Sequence, residues 1–189
     1  MHINPVGRFS VKWILITNLG WLVAQAFAIL ITRTAFPKSE LAAVSISPLY
    51  WIVFGVIFGL SQWIALHDRI LHSFGWVLAT SIGCFAAALI LKVLNQFEVI
   101  NPFLRAIPLF PHLFGGVVMG FSQYLVIKKS IQKAKWWILI VGTSWAFAQE
   151  SIGLSNISIQ LIGMFLFNAF TGLGFAWLAQ ISFSEIEAT

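Results

Sequence analysis

Charge is what this sequence has least of. Only 9% of its 189 residues are charged against 59% hydrophobic, and Asp68 is the one aspartate. A water-soluble domain carries roughly 25% charged residues. A soluble surface cannot be assembled from so few, so most of the exterior must meet lipid. Cysteine is nearly absent too: Cys84 alone excludes an intramolecular disulfide and any zinc site built from several thiolates. The usual marks of catalysis are missing. There is no G-x-S-x-G, no H-E-x-x-H, no phosphate-cradling glycine loop, and no second acid in the stretch that holds Glu150. These gaps argue against an enzyme and against a metal site. The net charge of +5 does not point to nucleic acid, because the basic residues punctuate apolar runs instead of lining a surface. Anionic lipid headgroups are their natural counter-charge.

What is present in abundance is apolar length. A helix needs about 20 mostly apolar residues to cross a bilayer. Six stretches meet or approach that: 13–32, 48–66, 74–91, 108–127, 136–154 and 158–181. The expected fold is therefore all-α, a single membrane domain over 1–189 with six transmembrane helices. Arg8 and Lys12 before the first run, with Ala24-Gln25-Ala26 inside it, resemble a signal peptide. The run continues to Ile31, too long for a signal core, so the helix is expected to be retained. Seven basic residues (Arg8, Lys12, Arg69, Lys128, Lys129, Lys133, Lys135) fall on the side of both termini, and four (Arg33, Lys38, Lys92, Arg105) on the other. Positive charge favours the cytoplasm, so both termini are expected there. Trp13, Trp63, Trp76, Trp136, Trp137 and Trp177 gather near that boundary, as an aromatic belt would.

The chain repeats itself at about 61 residues, in hairpins over 13–66, 74–127 and 136–181. Gly55-Val-Ile-Phe-Gly59-Leu-Ser61-Gln62-Trp63 returns as Gly116-Val-Val-Met-Gly120-Phe-Ser122-Gln123-Tyr124, and in degenerate form as Asn168-Ala-Phe-Thr-Gly172-Leu-Gly174. Trp13, Trp76 and Trp137 open the odd helices. Gly20, Gly83 and Ser144 follow seven residues later, then Ala24, Ala87 and Ala148. Small residues four apart let helix backbones approach where lipid supplies no hydrophobic drive. Gly55, Gly59, Gly116, Gly120, Gly20 and Gly83 are thus the expected packing positions, with Gly142 outside the ladder of its helix. The string Gly59-Leu-Ser-Gln62-Trp63-Ile-Ala-Leu66, followed by Gly75-Trp76-Val-Leu-Ala-Thr80-Ser-Ile-Gly83, resembles a group of bacterial multi-pass membrane proteins frequent in cyanobacteria. Those carry repeated G-x-x-Q-W-x-x-L and W-W-x-x-A-T-x-x-G segments. The likeness spans about 48–145, weakens where Tyr124 replaces tryptophan, and fades in the third copy. It implies an architecture and a bacterial inner or thylakoid membrane, and no activity.

Few side chains are left to carry function. Glu150 is an ionisable group in a span, at a cost of about 2.5–3.5 kcal/mol if central, and is a candidate site by default. Gln149, Gln25 and His112 are expected near it in the outer half, where they would line a cavity. His112 could also serve as an axial ligand to a tetrapyrrole, a pigment-type cofactor. The alternative is a set of interface residues. Gln62 and Gln123 are expected to act as interhelical glue. His67 and His72 flank Asp68-Arg69 without a third metal ligand. Two function classes follow. One is a non-enzymatic accessory or scaffold subunit that meets the bilayer, other membrane subunits or lipophilic pigments. The other is a small-solute transporter or substrate-binding component using Glu150, Gln149 and Gln25.

Overall fold

The computed structural model describes residues 5–37, 47–67, 74–98, 109–153 and 157–186. They form six helices: α1 Pro5–Ala35, α2 Pro48–Leu66, α3 Phe74–Glu98, α4 Leu109–Ile127, α5 Lys135–Gly153 and α6 Ile157–Ile186. Five stretches among the described residues are long and apolar enough to cross a bilayer: Gly7–Ala35, Pro48–Leu66, Phe74–Leu94, Leu109–Ile127 and Ser158–Ala179. The chain is thus a polytopic, membrane-embedded helical protein. α1, α3 and α6 run beyond the limits expected for them. The apolar run stops at a polar or basic residue, but nothing at that residue breaks helical geometry.

Helix ends follow local chemistry. Pro48 opens α2 at a position where its missing N–H is no loss, after Ser47 in extended conformation. Between α4 and α5 the backbone turns through Ser130 N–H and Ile131 N–H, both bonded to the Ile127 carbonyl at 2.9 Å. Ile131 and Ala134 tuck into the core there, while Lys128, Lys129 and Lys133 stay exposed. Several hydroxyls inside the helices bond back to their own carbonyls, as Thr17 to Trp13 (2.7 Å) and Ser81 to Val77 (2.7 Å). This satisfies them without water.

Each helix packs against its neighbours in the chain, and α6 returns to pack against α1, so the six close into a ring. Close backbone approach holds the ring together. A Cβ added at Gly55 would stand 2.7 Å from the Ser81 Cα, and one at Gly59 3.1 Å from the Val77 Cα. The same additions at Gly116 and Gly120 would stand 2.9 Å from Gly142 Cα and 3.0 Å from Ile138 Cα. Gly142 is therefore a contact point, against expectation: α5 meets α4 on a different face from the one its Ser144/Ala148 ladder occupies. Gly20 lies against Ser61, and Gly83 against Ser122.

Candidate functional site

The ring's interior is built from indoles and amides. Gln62 on α2 and Gln123 on α4 are both buried, and a buried amide needs hydrogen-bond partners. Gln62 Oε1 accepts from Trp76 Nε1 (2.8 Å), Thr80 Oγ1 (3.1 Å) and Gln123 Nε2 (3.2 Å). Gln123 Nε2 also donates to Thr80 Oγ1 (2.9 Å), and its Oε1 accepts from Trp137 Nε1 (2.9 Å). One network thereby stitches α2, α3, α4 and α5. The glutamines do join helices. Their partners went unnoticed in sequence, although the tryptophan lies fourteen residues after the glutamine in both cases.

The three tryptophans meet at the centre of the ring. The centroid distances are 6.4 Å for Trp13–Trp76, 6.3 Å for Trp13–Trp137 and 5.7 Å for Trp76–Trp137. These residues are fully buried, so they do not belong to a boundary belt; the amides described above draw the indole N–H groups of Trp76 and Trp137 inward. Trp136 and Trp177 are exposed and remain available to one. Phe175 on α6 stacks on Trp13 (6.0 Å, 8° between planes) and meets Trp137 edge-on at 5.6 Å. Without a glutamine at this level of α6, Trp13 Nε1 donates instead to Thr171 Oγ1 at 3.2 Å. A second aromatic layer follows along the axis, where Trp21 contacts Phe54, Phe58, Trp145 and Phe167 at 5.1–6.0 Å. The Trp145 indole N–H is buried and has no acceptor among the described residues.

The outer-half candidates are placed as follows. Gln25 is half-buried and its Oε1 accepts from the Tyr50 hydroxyl of α2, a partner sequence did not suggest. Gln149 is half-buried on α5, which is not a ring neighbour of α1. His112 is half-buried near the start of α4, on the helix next to Gln149. Glu150 lies in α5, but its side chain is outside the described residues, as are Asp68, Arg69 and His72. Among the described residues no three His, Cys, Asp or Glu side chains gather where a metal could sit. What the arrangement provides is a packed axis with indole donors mostly satisfied, surrounded by apolar outer faces.

Fold and interior thus define a class, the polytopic helical membrane protein with a tryptophan-rich core. No protein-family model, curated protein or solved structure matches the chain.

Proposed function

We propose that this protein is a non-enzymatic accessory or scaffold subunit of a bacterial membrane, built as three copies of one helical hairpin with six spans. Support for the sixth span is geometric. α5 lies against α4 from Gly120/Ile138 to Gly116/Gly142, so a helix that crosses the bilayer carries its neighbour through the same slab. Support for the repeat is the recurrence of contact offsets. Gly55 meets Ser81 as Gly116 meets Gly142, Gly59 meets Val77 as Gly120 meets Ile138, and Gln62 holds Trp76 as Gln123 holds Trp137. An even number of spans returns the chain to the side on which it began. The seven-to-four basic bias makes that side the cytoplasm.

The observation that carries the functional reading is the filled axis. Trp13, Trp76, Trp137, Trp145, Phe54, Phe58, Phe167 and Phe175 are fully buried inside the ring, where a polar solute would need a wet path. The chemistry left facing outward is apolar contact, offered on every helix by residues such as Leu15, Ile52, Leu78, Phe121, Leu139 and Phe170. Such faces suit lipids, lipophilic pigments and the spans of partner subunits.

The test reconstitutes the chain in vesicles and extracts it from its own membrane in native lipid particles. Ion and small-solute flux should equal that of empty vesicles, and the extracted particle should contain further protein or pigment. Glu150→Gln, which removes the charge and keeps the hydrogen bonding, should change neither result. A solute-specific flux in the wild type that Glu150→Gln abolishes would overturn the accessory reading and establish a transporter.

A further inference from the structure

The turn between α4 and α5 carries four lysines in eight residues: Lys128, Lys129, Lys133 and Lys135. The sequence holds no aspartate or glutamate between Glu98 and Glu150, so this stretch brings no acid of its own. Even set against Glu185 and Glu187 near the end of α6, the helix next to α5, the count is four positive charges to two negative. In the turn from α2 to α3, by contrast, Arg69 stands beside Asp68 in sequence. A bias that only orients the chain needs no such concentration at one hairpin. The four lysines also stand on a fixed frame. Lys128 N–H bonds to the Tyr124 carbonyl at 2.9 Å and so continues α4 by one residue. Ala134 N–H bonds to Ile131 at 3.2 Å, and Trp136 N–H to Lys133 at 3.0 Å. Ile127, Ile131 and Ala134 are buried beneath the turn, while all four lysines are exposed. The backbone is thus ordered before any anion arrives, which lowers the entropy lost on binding.

Below the lysines the surface is apolar. Phe121, Leu125 and Lys128 follow one another in steps of four and three, and Lys135 and Leu139 are four apart, so each row lies along one side of its helix. Phe121, Leu125, Trp136 and Leu139 are exposed. Lys128 directly follows the apolar stretch Leu109–Ile127, which sets its ammonium group at the edge of the hydrocarbon. We propose that the α4–α5 turn binds an anionic phospholipid. The lysines meet its phosphate, the acyl chains lie along Phe121, Leu125 and Leu139, and Trp136 sits between at the interface, where indoles are favoured. The N–H groups of Ser130, Ile131, Ala134, Trp136 and Trp137 are bonded within the turn, which leaves the ammonium groups to hold the anion. An ammonium is a point charge without the planar fork of a guanidinium. The site therefore reads how much charge a headgroup carries more than how its oxygens are arranged. A soluble phosphate or an acidic peptide would use the lysines alone; a lipid uses the lysines and the apolar rows together. The inference holds whether or not the accessory-subunit reading stands.

The test reconstitutes the full chain in phosphatidylcholine vesicles. Electron spin resonance then compares how strongly the protein immobilises nitroxide-labelled phosphatidylglycerol and nitroxide-labelled phosphatidylcholine. The wild type should prefer the anionic label by at least about five-fold, the effect of one lysine at a membrane surface, and the preference should shrink as salt rises. Combining Lys128→Gln, Lys129→Gln, Lys133→Gln and Lys135→Gln should abolish the preference with an unchanged circular-dichroism melt. Arginine at the same four positions should keep it, and Lys92→Gln, exposed towards the far end of α3, should leave it unaltered. No preference in the wild type, a folded glutamine variant that retains it, or an equal loss in Lys92→Gln would overturn the proposal. So would release of the labelled lipid by inorganic phosphate beyond that caused by chloride at equal ionic strength, which would mark a soluble-anion site. Release by an oligoglutamate peptide at that ionic strength would likewise overturn it in favour of an acidic protein partner. If the four-position variant fails to fold, Lys128→Gln with Lys129→Gln decides, and should lower the preference by itself.

Discussion

Replacing Gln123 by leucine removes the three hydrogen bonds that this amide makes to Thr80, Gln62 and Trp137. The first two partners keep others: Gln62 Oε1 still accepts from Trp76 and Thr80. At about 0.6 kcal/mol for a typical interhelical bond in a membrane, their loss costs about 1 kcal/mol together. The third is different. Trp137 is fully buried, so its indole N–H would be left without an acceptor, at about 1–3 kcal/mol. Gln123→Leu should therefore destabilise by about 2–4 kcal/mol. Trp137→Phe loses the same bond from the other side, strands the Gln123 carbonyl, and loosens the indole triad. In the double variant neither orphan remains, so the two effects should fall short of their sum by about 1–3 kcal/mol. The assay is reversible unfolding in bicelles, followed by circular dichroism for the wild type, both single variants and the double. Additivity to within about 0.5 kcal/mol would mean that the two side chains do not share a buried bond, and the network would be refuted.

Gly116→Leu would set its Cβ 2.7 Å from Trp145 Cβ and 2.8 Å from the Gly142 carbonyl oxygen, and should lower stability by about 3 kcal/mol. Gly75→Ala, whose nearest neighbours are the Val126 methyls at 3.8 Å, should change it by less than about 0.5 kcal/mol; equal losses in a thermal melt would refute the packing scheme. Cysteines placed at Ser39 and Lys133 in a Cys84→Ser background report topology. An impermeant maleimide added from outside should label the first and spare the second, and the reverse pattern would invert the orientation.

Much of the helical frame is legible in one dimension because lipid imposes it: uninterrupted apolar length and proline or lysine clusters leave little choice about where α2 and α4 lie. Rotation about each helix axis is harder to read. Trp13, Trp76 and Trp137 near a boundary suit an interfacial belt as well as a core. The deciding amides sit on another helix, fourteen residues earlier for Trp76 and Trp137, while Trp13 depends on Thr171 at the far end of the chain. Gly142 escapes the sequence pattern for a related reason. A helix in a ring has two packed sides, and its small-residue ladder marks only one of them. Gln62 and Gln123 are legible as interhelical ties, because buried amides in hydrocarbon have few alternatives. Asn18 carries no motif, and Asn168, where the third copy replaces the glycine of the first two, gives no sign of its partner. Their pairing depends on α6 closing against α1, a contact between residues 150 apart.

That closure governs how the molecule is made. α1 enters the membrane first of the six helices, and its inward face of Trp13, Thr17, Trp21, Ala24 and Ala28 receives α2 on one flank at once. The other flank waits for α6. Until the last helix arrives, the Trp13 indole N–H lacks Thr171 and Asn18 lacks Asn168. Unfinished chains therefore carry an open polar edge in lipid, the kind of surface that membrane chaperones hold and quality-control proteases cut. Arrival of α6 brings Thr171 to Trp13 and Asn168 to Asn18 and closes that edge.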